Sequence, residues 1–186
     1  MDDSAVSVVR VRFTDYETGV EEMLYEYHKS VAQGFNEKLA EEPGDHEFST
    51  ESYVKGELAK DCAYLERTDS ERPLVVALDD DRLVGCVYLY ELSANEAEIK
   101  RLYVRATYRG VGLGRRLMDE LVETAEREGY SSLRLDTAPF MHRAKHLYSE
   151  LGFEPYEGGE SVSDIPQSIS DDIMYMRLRL HDHGQR

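Results

Sequence analysis

The chain has 186 residues, which is enough for a single domain with a substantial hydrophobic core. It carries 38 acidic against 22 basic residues, and the resulting net charge of −16 disfavours a general nucleic-acid-binding surface. Two cysteines do not make a disulfide framework, no apolar stretch reaches membrane-spanning length, and the acidic residues 1–4 are not followed by the apolar run of a signal peptide. We therefore expect a cytoplasmic protein that binds neither nucleic acid nor a membrane.

The acidity has two open interpretations. A dense surface of carboxylates suits the salty cytoplasm of a halophile, where dissolved ions screen the self-repulsion of the chain. The alternative is an acidic protein from an ordinary cytoplasm. The composition favours neither.

Apolar periodicity predicts one strand and two helices before residue 70. Alternation over residues 7–13 indicates the strand, and helical spacing indicates a helix from about residue 15 to the mid-30s. A second helix is predicted to start at Ser49 or Thr50. Its inward stripe is expected to consist of Val54, Leu58, Cys62 and Leu65.

The rest of the chain predicts the other strands of a mixed sheet. Strands over 74–78, 82–92 and 98–104 are joined by short polar turns, so they should pair antiparallel. A helix ended by Gly129 leads to a strand at 133–137, which should therefore lie parallel to the strand at 98–104. A helix over 139–151, a strand from 153, a loop over 157–172 and a strand at 173–180 follow. The prediction is one α/β (α+β) domain over residues 1–186, with a central sheet of about 6–7 strands in the order β-α-α-β-β-β-α-β-α-β-β.

A glycine-rich turn precedes the helix that ends at Gly129. Glycines at 110, 112 and 114 let the backbone approach a ligand closely, and the unpaired N–H groups of the helix start form an anion site suited to phosphate. Residues 98–118 hold one acid, Glu98, and six bases, which predicts a polyanionic ligand. The bases are Lys100, Arg101, Arg105, Arg109, Arg115 and Arg116.

This turn is neither a P-loop nor a dinucleotide fingerprint. No Lys-Ser or Lys-Thr follows the glycines, and Arg115 and Leu117 stand where a third fingerprint glycine would be. Arg109-x-x-Gly112-x-Gly114 instead resembles the signature of the GNAT acyltransferase superfamily. A second resemblance to that superfamily lies in Ala144-x-x-Leu147-Tyr148-x-x-Leu151-Gly152-Phe153, and a third in Leu135-Asp136-Thr137-x-Pro139. The similarity runs from about residue 74 to 156, and the predicted element order is that of GNAT folds.

The resemblance implies an acetyl-CoA site. Backbone groups of Leu102, Tyr103 and Val104 would pair with the pantetheine arm, in a gap between two splayed strands. Backbone N–H groups of the turn would hold the pyrophosphate, namely those of Arg109, Gly110, Val111, Gly112, Leu113, Gly114 and Arg115. The chain departs from the pattern at Met141, because many members have an Asn there that contacts CoA; His142 or backbone groups are the candidate replacements.

The resemblance also implies two catalytic side chains. Tyr148 matches the general acid that protonates the leaving thiolate, and its alternative role is packing in the core. Glu98 matches a glutamate that serves as base through water, and its alternative roles are a surface acid or a partner of Lys100. His142 and His146 are four residues apart, but we expect no metal site.

The predicted function is transfer of an acetyl group from acetyl-CoA to a primary amine, on a small molecule. The acceptor pocket would be lined by the first two helices, with Tyr25, Tyr27 and Phe35 nearby, and by the acidic loop 157–172. The alternatives are a non-catalytic acyl-CoA-binding or regulatory module and a protein N-terminal acetyltransferase. Either a monomer or a homodimer is compatible with the sequence.

Overall fold

A computed structural model describes residues 6–41, 48–68, 74–157 and 167–180. They form seven strands and five α-helices in the predicted order, with a one-turn helix added before the last strand. The strands are β1 (Val6–Val11), β2 (Leu74–Asp79), β3 (Arg82–Ser93), β4 (Glu96–Val104), β5 (Ser132–Thr137), β6 (Glu154–Pro155) and β7 (Met174–Arg179). The helices are α1 (Phe13–Leu39), α2 (Thr50–Arg67), α3 (Leu113–Arg127), α4 (His142–Glu150) and α5 (Gln167–Ser170), and a 3-10 turn spans Ala106–Tyr108.

The strands form one mixed sheet in the order β1-β2-β3-β4-β5-β7-β6. The α/β fold class and the predicted sheet are confirmed, including the parallel pairing of β4 with β5. That pairing is short, because only Glu96 to Glu98 have partners, on Ser132 to Arg134. Beyond these residues the two strands part and leave a gap at their carboxyl ends.

Helices cover both faces of the sheet. Side chains of α3 and α4 pack on one face with alternate residues of the strands, such as Ala97 and Ile99 of β4. Helices α1 and α2 cover the other face, to which Glu98 and Lys100 project because side chains alternate along a strand. Each face therefore presents a different set of β4 side chains at the gap.

Two predicted element ends are wrong. The first strand ends at Val11, and Phe13 is instead a buried residue at the start of α1. The fourth helix begins at His142 and not at residue 139, because the Met141 N–H donates to the Ala138 carbonyl in a separate turn. Part of the predicted loop 157–172 is helix α5, and its residues 158–166 lie outside the described residues.

The inward stripe of α2 also differs from the prediction. Leu58 and Cys62 are only half-buried, whereas Glu57 and Asp61 are buried with exposures of 2% and 4%. Burying a carboxylate is costly unless it is paired, and both acids pair with Arg101 of β4. The predicted pattern failed because it assigned polar side chains to the solvent face.

None of the helices in the described ranges is both long enough and apolar enough to cross a bilayer.

Candidate active site

The gap between β4 and β5 opens into a cleft of about 470 Å³. Its walls come from α1, the end of β4, the segment before α4 and the first turn of α4. Four of the residues predicted to bind the cofactor lie on this wall: Leu102, Tyr103, Val104 and Arg109. The other six, residues 110–115, continue from Arg109 into the first turn of α3.

The glycine turn has the backbone geometry that the sequence predicted for an anion site. Gly112 caps α3 in the left-handed region, with φ 81°, and Gly110 has φ 85°. A Cβ on either glycine would meet nothing within 4 Å, so the space above the turn is open. The helical bonds begin with the Arg116 N–H donating to the Gly112 carbonyl, which leaves the N–H groups of residues 113–115 without a partner inside the helix. An open turn with these N–H groups fits a phosphate.

The predicted basic cluster around this turn is largely neutralised within the protein, and that part of the prediction is wrong. Side chains can share one stretch of sequence and still project into different parts of the fold. Four of the six bases make ion pairs: Lys100 with Glu98 and Asp136, Arg101 with Glu57 and Asp61, Arg105 with Glu22 and Glu26, and Arg115 with Asp119. The anion site therefore rests on backbone groups more than on side-chain charge.

Arg109 and Arg115, which the sequence suggested for charge-assisted contacts, both have protein partners. The Arg109 Nε donates to the Val104 carbonyl at 2.7 Å, and its guanidinium lies 5.4 Å from the centroid of the Tyr103 ring. One acceptor position of the Val104 carbonyl is thus taken by Arg109. Arg115 pairs with Asp119 at 3.2 Å and is half exposed, so it can turn toward an anion above α3.

Tyr148 lies on α4 with 7% exposure, in the cluster on the α3 side of the sheet. Its ring centroid is 6.0 Å from that of Phe153, so the packing role considered from the sequence is present. Burial, followed by the nearby Tyr27 and Asp136, raises the pKa of Tyr148 well above its ordinary value. The phenol therefore stays protonated at neutral pH, which a general acid requires.

Glu98 is buried on the opposite face of β4, with 4% exposure. Its Oε1 lies 2.8 Å from Lys100 Nζ, which also lies 3.3 Å from Asp136 Oδ1. The alternative role as a surface acid is excluded by this burial, whereas pairing with Lys100 is present. Burial raises the pKa of Glu98, and the charge of Lys100 opposes that rise without cancelling it.

A second buried polar cluster lies beside this one, around Arg101. The Arg101 guanidinium bonds Glu57 Oε2 at 2.7 Å and Asp61 Oδ2 at 2.9 Å, and it lies over the ring of Tyr27. Asp61 also accepts a 2.6 Å hydrogen bond from Tyr88 and lies 2.7 Å from His28 Nε2. Tyr27 lines the cleft, so this cluster supports the cleft wall from behind.

The residues before α4 occupy the place where the sequence departs from the family pattern. Met141 and His142 both line the cleft, beside Phe140. Gly34 of α1 faces this segment, because a Cβ there would come closer than 3.0 Å to the Phe140 ring. Either Met141 or His142 is thus positioned to contact a ligand in the cleft.

Sequence reasoning missed the buried acids. Asp136 stands out in the sequence only as part of a motif, and Asp61 and Glu57 were not singled out. A usable signal was present, since Glu57 and Asp61 are four residues apart on the same face as Tyr53 and Tyr64.

Of the predicted acceptor-pocket residues, Tyr27 lines the cleft, Phe35 is buried in the adjoining core, and Tyr25 is 48% exposed. No group of three or more His, Cys, Asp or Glu side chains that could hold a metal occurs within the described ranges.

A family model described as the acetyltransferase (GNAT) family matches residues 33–153. This match spans more than half of the chain, and the chain therefore belongs to the GNAT acetyltransferase family. An uncharacterized N-acetyltransferase of Schizosaccharomyces pombe is 37% identical over 112 residues, which are 58% of this chain and 63% of that protein. The N-acetyltransferase YsnE of Bacillus subtilis is 30% identical over 95 residues, which are 50% and 63% of the two chains. This chain thus spans just under two thirds of the length of these curated relatives.

Solved structures establish the fold. The PaiA N-acetyltransferase of Thermoplasma acidophilum, solved in complex with coenzyme A, superposes with a TM-score of 0.70 at 20% identity, covering 94% of this chain and 99% of that one. YncA of Salmonella typhimurium, solved with acetyl-CoA, gives a TM-score of 0.63 at 16% identity and 97% coverage of both chains. The GNAT fold expected from the sequence motifs is confirmed.

Proposed function

We propose that this chain moves an acetyl group from acetyl-CoA to the primary amine of a small molecule. The observation that carries the proposal is the parting of β4 and β5 directly beside an open glycine turn at the start of α3. Two features of the ligand are matched by this arrangement. A strand-like arm fits the free edge of β4, and a pyrophosphate fits the N–H groups of residues 110–115.

The chain's own groups supply the chemistry that acetyl transfer needs. Acetyl-CoA, when bound, supplies the acetyl group as a thioester. Tyr148 is the proposed acid, because its phenol is protonated and lies close enough to Asp136 for that carboxylate to raise its pKa. Glu98 belongs to the proposed base, because it faces the gap from the other side of β4. In this proposal the acid on α4 and the base on β4 act from opposite faces of the sheet.

The remaining parts of the proposal concern the whole chain. We infer that residues 1–186 act as one acetyltransferase domain in the cytoplasm, as a monomer or a homodimer. The family relationship supports the domain, and the acidic composition supports a freely diffusing small acceptor over a nucleic-acid-bound one.

Calorimetric titration with acetyl-CoA of two matched glycine variants tests the cofactor site. Gly112 and Gly129 lie at opposite ends of α3, both have positive φ, and a Cβ on either meets nothing within 4 Å. Alanine therefore costs each a similar backbone strain, of about 1–2 kcal/mol. Gly112→Ala should weaken acetyl-CoA binding about tenfold or more, which corresponds to about 1.4 kcal/mol. Gly129→Ala should leave binding unchanged.

Released CoA thiol, measured across a panel of primary amines, then tests the reaction. Turnover of small amines supports the proposal. Turnover of only a peptide with a free N-terminus would assign a protein N-terminal acetyltransferase instead. Binding without turnover would indicate a non-catalytic acyl-CoA-binding module, and equal binding losses in both glycine variants would contradict the cofactor site.

A further inference from the structure

The two carboxyl groups nearest the point where β4 and β5 part are held by one lysine. Glu98 is the last β4 residue with a partner on β5, and that partner is Arg134. Two residues further along each strand, on the same face, are Lys100 and Asp136. Lys100 Nζ lies 2.8 Å from Glu98 Oε1 and 3.3 Å from Asp136 Oδ1, across the start of the gap.

These three groups are poorly accessible to water, and their formal charges do not cancel. The side chains of Glu98 and Lys100 are each 5% exposed, and that of Asp136 is 21% exposed. Glu98 Oε2 is buried and has no hydrogen-bond donor among the described residues. Lys100 thus supplies one positive charge to two carboxyl groups, and the cost of burying the uncompensated negative charge favours a proton on one of them.

We propose that Glu98 and Asp136 share one proton at neutral pH and act as a single base, in which Asp136 takes the proton of the incoming amine. This assignment rests on the proposed function and deepens it. It makes Asp136 a catalytic residue, it makes Lys100 a positioning residue, and it means that an aliphatic amine acceptor depends on the base whereas an aromatic amine does not. Such amines are protonated in solution and need a base before they can attack, whereas aromatic amines are already neutral.

The surrounding charges decide which carboxyl holds the proton. Burial raises the pKa of Glu98 more than Lys100 lowers it. Burial acts in the same direction on Asp136, but the charge of Lys100 and the hydrogen bond from Glu98 outweigh it, so the pKa of Asp136 falls below its ordinary value. The other charged and titratable groups that face the pair are Arg101 of β4, Glu57 and Asp61 of α2, Tyr27 of α1 and Tyr148 of α4. Both α2 acids pair with Arg101, and Glu57 also pairs with Lys60. Glu98 therefore carries the proton, and Asp136 is the ionised member, more exposed to the gap.

The proton balance of the reaction closes with this pair. The acceptor ammonium gives one proton to Asp136, so both carboxyls become protonated and the amine nitrogen gains a lone pair. That lone pair forms the C–N bond to the acetyl carbon as the C–S bond breaks. The departing sulfur takes a proton from Tyr148, and the nitrogen loses its second proton, which restores the phenol. Asp136 then releases its proton to solvent, so one proton leaves per turnover.

Infrared spectroscopy of the protein alone tests the shared proton. The wild type at neutral pH should show the C=O stretching band of a protonated carboxyl, shifted in D2O. Glu98→Gln and Asp136→Asn should each remove that band, because the remaining carboxylate is then matched by Lys100. Glu96→Gln is the control: Glu96 lies on the same face of β4 but pairs outside the gap with Arg177 at 3.3 Å, so the band should persist. A band that survives Asp136→Asn would overturn the proposal.

Kinetics with two probes test the role of the pair. With 2-phenylethylamine at neutral pH, Asp136→Asn should lower kcat about 100-fold. With aniline, which is neutral at the same pH, the loss should be less than about tenfold. Equal losses with both probes, or an effect no larger than that of Glu96→Gln, would contradict the base role. Acetyl-CoA affinity, measured by calorimetry, should not change in any of the three variants, whereas a wild type that binds no acetyl-CoA contradicts the proposed function and not the shared proton.

Discussion

Arg101 combines an unusual backbone conformation with buried ion pairs, and it lies directly before the β4 residues that line the cleft. It has φ 61° in the middle of β4, a conformation that costs a residue other than glycine about 1–2 kcal/mol. The register between β3 and β4 shifts at this point, so Arg101 projects toward α2 rather than away from it. Its two ion pairs and its contact with Tyr27 offset the strain and hold the bulge. The bulge in turn sets the direction of Leu102 to Val104, which line the cleft.

Stability at acid pH reports on the Arg101 cluster. Burial alone would raise the pKa of Asp61, but Arg101 and His28 outweigh it and lower the pKa from 3.8 to about 2. Since the folded-state pKa is depressed, this stabilisation is fully present above pH 3.8 and is lost as the pH falls through about 2. The Asp61→Asn variant should therefore have a lower free energy of unfolding in urea at neutral pH. Between pH 3.8 and about 2, its free energy of unfolding should fall less than that of the wild type. Asp119→Asn, which removes an exposed acid from α3, is the control. An equal loss of unfolding free energy at acid pH in the wild type and in Asp61→Asn would contradict the stabilising role of ionised Asp61.

The role of Tyr148 is tested by removing only its hydroxyl. Tyr148→Phe keeps the packing against Phe153, so the acetyl-CoA affinity should stay within about twofold of wild type. We expect kcat to fall about 100-fold, because a positioned general acid contributes that order of magnitude. Tyr130→Phe is matched, since Tyr130 lies in the same core cluster but donates to Glu91 at 3.2 Å, away from the gap. Equal rates in the two variants would leave Tyr148 with packing alone.

At the scale of elements, the fit of α1 against the segment before α4 shapes one wall of the cleft. Gly34 lies within α1, where glycine normally weakens a helix. It is required here because Phe140 occupies the space that a Cβ would need. Phe140 also packs edge-to-face against Phe35, one residue further along α1, which limits how far the Phe140 ring can move away from Gly34.

Alanine substitutions at two helical glycines distinguish the steric effect of Phe140 on Gly34 from the general helix propensity of glycine. A Cβ on Gly56 of α2 would meet nothing within 4 Å, so Gly56→Ala should stabilise the protein by about 0.5–1 kcal/mol. Gly34→Ala should instead destabilise it by about 1–3 kcal/mol, as overpacking does, and should raise the KM for acetyl-CoA or the acceptor. Urea unfolding and steady-state kinetics measure the two effects. Stabilisation by Gly34→Ala would show that Phe140 moves aside freely.

Features that depend on residues close together in the sequence could be predicted, whereas contacts between residues far apart in the sequence could not. The glycine turn and the hairpins were predictable because glycine and turn residues act within a few positions. The buried carboxyl of Asp61 was not, because its partner Arg101 lies 40 residues further along the chain. For the same reason the six bases of residues 98–118 were interpreted as one cluster, although their acids come from α1, α2 and β5. Glu98 and Tyr148 were found through resemblance, and their roles stay predictions.

At the scale of the whole molecule, the fold was predicted almost completely because seven strands and four helices each carry their own periodicity. The net charge of −16 is the one global property that the fold does not explain. Because 38 acids stand against 22 bases, negative charge exceeds positive charge and the carboxylates repel one another. This repulsion acts against the compact state and is weakened by salt.

Thermal unfolding with and without molar KCl measures that repulsion. We expect the midpoint to rise by about 5 °C in KCl, which for a domain of this size corresponds to about 1–2 kcal/mol. A rise would support the halophilic interpretation of the composition. An unchanged or lower midpoint would favour the alternative of an acidic protein from an ordinary cytoplasm.

The short pairing of β4 with β5 has a mechanical consequence. Three residues on each strand connect a four-stranded half-sheet, β1 to β4, to a three-stranded half-sheet formed by β5, β7 and β6. A connection of this length resists twisting far less than the longer pairing between β3 and β4 does. We therefore expect the two half-sheets to twist against each other about the line of Glu98. A molecule that fills the gap would add backbone hydrogen bonds to β4 and packing contacts on the side of β5. Ligand binding then stiffens the sheet as a whole, and amide hydrogen exchange should slow in β7, two strands away from the gap, as well as in β4.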